Sequence, residues 1–217
     1  MYEFRNAAGL SKATVIMLYL LAAASIVAAV STGAMALLLS SIRSGTVVSE
    51  AAARAADQRE EGVSIVFFLV FFAAIITYLF WINRASKNAH AISGDNMTIT
   101  PGWAVGWHFV PFASLVKPFH AVVEIWKVSA NPNDPESVLW PETLLRSWWA
   151  LWLIANIGAN ISFRMVGSPD LGLSVTGEWI DVVSSVACAG TSILQARIVG
   201  AIQSAQVDGG RLVEVFA

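Results

Sequence analysis

Long stretches without a charged side chain organise this sequence. Ala13 to Ile42 runs for 30 residues between Lys12 and Arg43, and Gly62 to Asn83 for 22 between Glu61 and Arg84. Ser147 to Phe163 adds 17 between Arg146 and Arg164, and Val182 to Ala196 adds 15 between Asp181 and Arg197, with apolar residues continuing to Ile202. A helix rises about 1.5 Å per residue and a bilayer core is about 30 Å thick, so about 20 apolar residues cross it. The first two runs meet that length outright. The last two read as a hairpin of shorter spans with charges at their ends. The expected spans are 14–40, 63–83, 146–165 and 178–202.

A fifth uncharged run, Asn96 to Val116, reads differently. It opens on Asn96, Thr98 and Thr100 and carries Pro101, Gly102, Gly106 and Pro111. Its apolar part, Trp103 to Val116, has the length of a re-entrant or interfacial segment. Pro111 removes a helical hydrogen bond. We therefore expect a broken, partly buried segment over 101–116. Pro118 then suits the first turn of a helix. From it His120, Glu124 and Lys127 fall on one face, and Phe119, Val122, Val123 and Trp126 on the other. This predicts an amphipathic helix over 118–130, lying in the membrane interface and stopped by Asn131-Pro132-Asn133-Asp134-Pro135. The expected fold is all-α: an integral membrane four-helix bundle, with the broken segment and amphipathic helix between its second and third spans.

Composition supports a membrane protein. The chain is 56% hydrophobic and 13% charged, against about 45–50% and 25% in soluble domains. Its mean hydropathy is +0.64. Disordered, collagenous and disulfide-stapled secreted classes are excluded. Net charge is −2, so no large field of one sign attracts nucleic acid. The nine tryptophans suit membrane interfaces, where ring and N–H are both satisfied. Cys188 has no partner for a disulfide or a CxxC site. The first run could be a signal peptide with a small-residue site at Ala34-Met35-Ala36, but it continues through Leu37–Leu39, beyond a signal peptide's apolar region. It is read as a retained span.

The positive-inside rule chooses the orientation. With four spans and a cytoplasmic N-terminus, Arg5, Lys12, Arg84, Lys87, Lys117, Lys127, Arg146, Arg197 and Arg211 lie inside. Arg43, Arg54, Arg59 and Arg164 lie outside. A full crossing by the broken segment would erase that bias. The expectation is a multi-pass protein of the cell membrane with both termini cytoplasmic. The outer stretch 41–61 is expected to be helical near Ala51–Ala56. Small residues among Ala22–Ala24, Ala28 and Ala29 suit close helix packing or a dimer contact.

Candidate chemistry is sparse. His90, His108 and His120 lack metal-ligand spacing and lie outside the spans, so neither metal nor haem is expected. His120 and Glu124 suit a surface i, i+4 contact. No nucleophile elbow, phosphate loop or catalytic triad is present, so no catalytic residue or cofactor is expected. Polar residues at membrane depth are better pointers. Arg164 at the end of the third span faces Glu178 and Asp181 at the start of the fourth, and pairing would tie that hairpin together. The same residues would serve an ion pathway. Arg197 is expected to meet Glu124 or Glu142, or to snorkel. Asn156 and Asn160, one turn apart, suit hydrogen bonds across helices or the lining of a polar cavity.

The stretch 101–131 also carries a resemblance. Trp103, Trp107, Pro111, Lys117-Pro118, Glu124-Ile125-Trp126 and Ser129 resemble the signature stretch of bacterial membrane proteins in domain-of-unknown-function family 4328. Trp148-Trp149 and the close Arg197-Ile198-Val199, Ile202, Gln206 are similar too. The resemblance covers roughly 64–207. One departure is Phe112-Ala113-Ser114-Leu115, where the pattern has an Asn before the Leu. The resemblance implies a multi-span membrane protein, mostly of actinobacteria and their relatives, and no activity or ligand. Together these readings predict a non-enzymatic protein acting by interaction, as scaffold, regulator or assembly factor. Its expected partners are the lipid bilayer, another membrane protein or its own copies, and not nucleic acid. Its candidate surface is the belt formed by Trp103, Trp107, Pro111, Lys117, Pro118, His120, Glu124, Trp126 and Lys127. The alternatives are a small channel or transporter with a polar path between spans three and four, and, further off, a membrane enzyme or haem carrier.

Overall fold

The structure is a computed structural model that describes residues 2–93 and 97–216, with side chains to Val207. Asn96, which opens the broken run, and the Arg211 side chain lie outside the described residues. Among those described, all regular structure is helical. The helices are α1 (Ala8–Arg43), α2 (Glu50–Ser93), α3 (Pro101–Gly106), α4 (Lys117–Ala130), α5 (Glu142–Met165) and α6 (Leu171–Phe216). Single 3-10 turns lie at Trp107–Phe109, Ala113–Leu115 and Pro135–Ser137. Helix α1, helix α2 and the stretch Leu171–Val207 are long and apolar enough to cross a membrane. Helix α5 has 24 residues, about 36 Å at 1.5 Å each. Its tryptophans, Asn156 and Asn160 leave it less apolar than those three. The stretch near 51–56 is helical, as expected. It is the first turns of α2, because nothing between Glu50 and Gly62 breaks an Ala-, Arg- and Glu-rich run of good helix formers.

Contacts divide the chain into two compact units. The first comprises Met1–Leu18, Ala74–Ser147 and Leu194–Ala217. Its core holds Trp81, Ile82, Ala85, Ala104, Val122, Ile125, Val128, Leu145, Ile198, Val199 and Ile202, all essentially inaccessible. Helix α4 contributes Pro118, Ala121, Val122, Ile125, Val128 and Ser129 to it. That stripe is rotated from the one the apolar pattern suggests, since Phe119, Val123 and Trp126 are only half-buried. Close helix packing selects small side chains, so Ala121 and Ser129 sit inside and the bulkier rings sit at the margin.

A hydrogen-bonded node holds this unit together. Asn88 on α2 accepts from the Arg5 N–H at 3.1 Å and donates to the Arg5 carbonyl at 3.0 Å. Its Nδ2 also reaches Gln206 Oε1 on α6 at 3.3 Å. Gln206 Nε2 in turn donates to the Ala85 carbonyl at 2.8 Å and to Ser129 Oγ on α4 at 3.0 Å. Asn88 and Gln206 are fully buried. Buried amides are tolerated when their donors and acceptors are paired, and a paired node fixes one arrangement of its helices.

The second unit comprises Tyr19–Ala73 and Trp148–Ile193. Here α5 and α6 run antiparallel in close contact. Thr191 Oγ1 donates to the Trp148 carbonyl at 3.1 Å. A Cβ at Gly190 would lie 2.9 Å from Leu151, and one at Gly158 would overlap Ser184 Oγ. At the loop end a Cβ at Gly177 would lie 2.8 Å from Met165 Cβ and 2.9 Å from the Val166 nitrogen. Small residues every seven positions let the two backbones approach along nearly the whole of both stretches.

Candidate functional site

The belt between α2 and α5 is built from both ends. Thr100 caps α3, its side chain accepting from the Trp103 N–H, and Pro101 occupies the first turn. Asn83 Nδ2 of α2 donates to the Pro101 carbonyl at 3.0 Å and fixes that start. Glu124 of α4 holds the irregular segment before α3, accepting from Thr98 Oγ1 at 2.8 Å and from the Ile99 N–H at 3.1 Å. The expected His120–Glu124 contact is therefore not formed. Glu124 is occupied by the Thr98–Ile99 backbone, and His120 is exposed beside Phe119. Lys127 pairs with Glu136 at 2.9 Å across the turn that follows α4.

Trp103 and Trp107, one helical turn apart, stack at 4.3 Å. The Lys117 ammonium lies 5.7 Å over the Trp107 ring. His108 packs edge-on against Tyr78 of α2 at 5.7 Å. Its Nδ1 is 3.2 Å from the Val105 carbonyl. Burial pushes the His108 imidazole below its usual range, more strongly than its backbone hydrogen bonds to Val105 and Ala104 raise it.

The chain then turns sharply. Ala113 N–H donates to the Pro111 carbonyl at 2.7 Å, and Phe112 between them has φ 60° and ψ −43°. This is a γ-turn of the strained hand, rare for any residue but glycine. The turn is exposed at Pro111, and it presents Phe112 at 86% exposure with Phe109 at 70%. Val116 and Trp103 are each about half exposed beside them. The opposite side, through Pro101, Ala104, Pro118, Ala121 and Ile125, is buried. Sequence reading marked the tryptophans and prolines but missed Phe109 and Phe112. The available signal was Pro111, which fixes its own φ and leaves the next residue to make the turn.

A second polar group lies in the other unit. Ser31 and Thr32 of α1 donate to the two carboxylate oxygens of Glu60 at 2.6 and 2.7 Å. Arg59 holds Ser31 through its Oγ at 3.1 Å and its carbonyl at 3.2 Å. Glu178 is 7% exposed and feels the negative charges of Glu60 and Asp181. The expected pairing of Arg164 with Glu178 or Asp181 is not formed. Arg164 is exposed, and among the described residues no ion pair joins it to either acid. Arg164 stands exposed at the end of α5, and both acids feel the charge of Glu60 on α2. Glu60, Ser31 and Thr32 were not singled out in the sequence, because Glu60 sits in a charged run and the two hydroxyls sit inside a span.

Arg197 is likewise exposed without an ion pair among the described residues. Glu124 is taken by the loop, and Glu142 pairs with Arg146 at 3.0 Å. Asn156 and Asn160 are exposed on α5. They donate to the carbonyls one turn back, Trp152 at 2.8 Å and Asn156 at 2.9 Å. Among the described residues they make no bond to α6. The contact with α6 is made by the other side of α5, through Leu151, Gly158 and Met165. A shallow groove of about 300 Å³ between these helices is apolar, lined by Ile154, Trp179, Ile180 and Val183 among others. Among the described residues no group of three or more His, Cys, Asp or Glu is arranged to hold a metal ion.

Neither curated proteins nor solved structures give a match. One family model does, the domain of unknown function DUF4328, over residues 44–204. That stretch runs from the start of α2 to the late turns of α6 and takes in the whole belt, the acidic group's Glu60, Glu178 and Asp181, and both asparagines of α5. The chain belongs to the DUF4328 family.

Proposed function

We propose that this is a four-span membrane protein that works by interaction, with the belt as its docking face on the cytoplasmic side. The single observation that carries the reading is the Phe112 turn. A residue held in a sparsely populated backbone region persists only when its surroundings force it, and such strain concentrates at functional positions. Here the strained turn holds an aromatic ring outward, next to Phe109, on a segment anchored from behind by Asn83, Glu124 and the buried side of α4. Aromatic residues presented on a rigid support are the usual anchors of protein interfaces. The charge asymmetry of the loops supports the cytoplasmic placement. The close antiparallel fit of α5 against α6 supports a fourth crossing, since α5 runs alongside a helix that itself qualifies as a span.

The test is affinity capture from gently solubilised membranes. The chain and a Phe109→Ser/Phe112→Gly variant are compared by quantitative mass spectrometry. At least one membrane or cytoplasmic protein is expected to be captured, and to fall tenfold or more with the variant. Identical capture by the two forms overturns the reading.

The acidic group favours a second reading, a small channel or transporter. A carboxylate on a buried residue near two other acids is costly unless it serves a charge that passes or binds. Reconstituted liposomes should then show a cation flux that Glu178→Gln abolishes. Flux equal to that of empty liposomes rejects it.

A further inference from the structure

Helix α5 carries two stripes of side chains with the same spacing. One is Trp148, Leu151, Ala155, Gly158, Ser162 and Met165, whose steps alternate between three and four residues. It is the side that meets α6. The other, on the opposite side, is Trp149, Leu153, Asn156, Asn160 and Phe163, with the same alternation. A three–four alternation is the seam of a helix that packs along its length against another helix. The first seam is filled. The second ends open, with Asn156, Asn160 and Phe163 exposed, Phe163 at 86%.

We infer that the Asn156–Asn160–Phe163 face of α5 is the contact between two copies of this chain. The inference rests on α5 crossing the bilayer beside α6, as proposed above. Each asparagine spends one N–H on its own helix, at 2.8 and 2.9 Å. Each keeps an amide oxygen and a second N–H without a partner among the described residues. In hydrocarbon those groups draw another helix toward them. An amide both donates and accepts, so an identical amide satisfies it. Two copies inserted in the same orientation bring Asn156 opposite Asn156 and Asn160 opposite Asn160 at equal depth, about a two-fold axis along the membrane normal. A polar pair within an apolar seam also fixes the register of the two helices. Arg164 follows the seam at the helix end, where its exposed side chain can splay from its counterpart.

Disulfide mapping in native membranes tests this, using the full chain with Cys188→Ala. Cysteines are placed singly at Asn156, Asn160 and Phe163 on the seam and at Ile157 and Ile161 beside it, then oxidised with copper phenanthroline. The expected result is a covalent dimer of this chain at the three seam positions, at least fivefold stronger than at the two flanking ones. Light scattering in mild detergent should give a dimer, and Asn156→Leu/Asn160→Leu should reduce its fraction at least tenfold with helix content unchanged. If the double variant fails to fold, Phe163→Cys still reports the contact. Equal yields on every face, adducts only with a different protein, or no adduct with a monomeric wild type overturn the inference. Membrane-impermeant maleimide separates this failure from that of the four-span reading. An Asn156→Cys thiol that is unreactive and uncrosslinked refutes only the dimer. One that reacts freely with the reagent refutes the crossing, and the dimer with it.

Discussion

At Phe112 the strained backbone and the exposed ring bear on stability and on the proposed docking in opposite directions. Its φ of 60° costs an L-residue about 1–2 kcal/mol, a cost glycine escapes. Its ring is exposed and contributes little packing to set against that. Phe112→Gly should therefore stabilise the folded chain by roughly 1 kcal/mol after the extra flexibility of glycine is counted. At this length that is a rise of about 2–4 °C in the unfolding midpoint of the detergent-solubilised protein. An unchanged or lower midpoint would show the turn to be unstrained. The same substitution should weaken partner capture, so the two measurements together separate a structural turn from a functional one. The strain itself was not legible in the sequence. Pro111 announced a turn, but a phenylalanine where the backbone favours glycine follows from tertiary placement. Asn88 was equally hidden, since one Asn in a polar stretch after a span looks solvated until α6 brings Gln206 to it. The pair expected for Arg197 failed for a related reason: Glu124 is taken by donors of the Thr98–Ile99 segment and Glu142 by Arg146.

At the scale of elements the sequence was more informative. The uncharged runs located α1, α2 and the apolar length of α6, because hydrocarbon thickness imposes a count that polar residues interrupt. The amphipathic period gave α4 its ends at Pro118 and Asn131, but misplaced its buried stripe. Counting only large apolar residues as core overlooks alanine and serine where backbones approach closely. The same oversight hid the α5–α6 seam, which glycines and serines define. Gly177 makes that seam testable. A methyl there meets the Val166 nitrogen at 2.9 Å and Met165 Cβ at 2.8 Å, neither of which is the far end of a flexible side chain. Overpacking at such a point costs about 1–3 kcal/mol, so Gly177→Ala should lower the unfolding midpoint by several degrees. Gly200, on the same helix with open space around it, is the control. There alanine should be neutral or raise stability by up to about 1 kcal/mol, through helix propensity alone. Equal effects at both positions would mean that α5 and α6 are not held at this distance.

At the scale of the whole molecule, the number of crossings decides what every exposed residue faces. Three stretches qualify by length and hydropathy, and an odd count would leave the two termini on opposite sides of the membrane. Helix α5 restores an even count only if it crosses despite its tryptophans and asparagines. The loop between α5 and α6 distinguishes the two arrangements. With four spans it lies on the same side as the turn after α1. With three it lies with the belt. Single cysteines at Val47, Ser137 and Pro169 in a Cys188→Ala background report this when intact cells are treated with a membrane-impermeant maleimide. Val47, 95% exposed, should label in intact cells, and Ser137 only after the cells are opened. Pro169, exposed in the loop, should label with Val47. Labelling of Pro169 only in opened cells would place α5 along the cytoplasmic surface. Asn156 and Asn160 would then face water, and their unsatisfied amides would need no second copy.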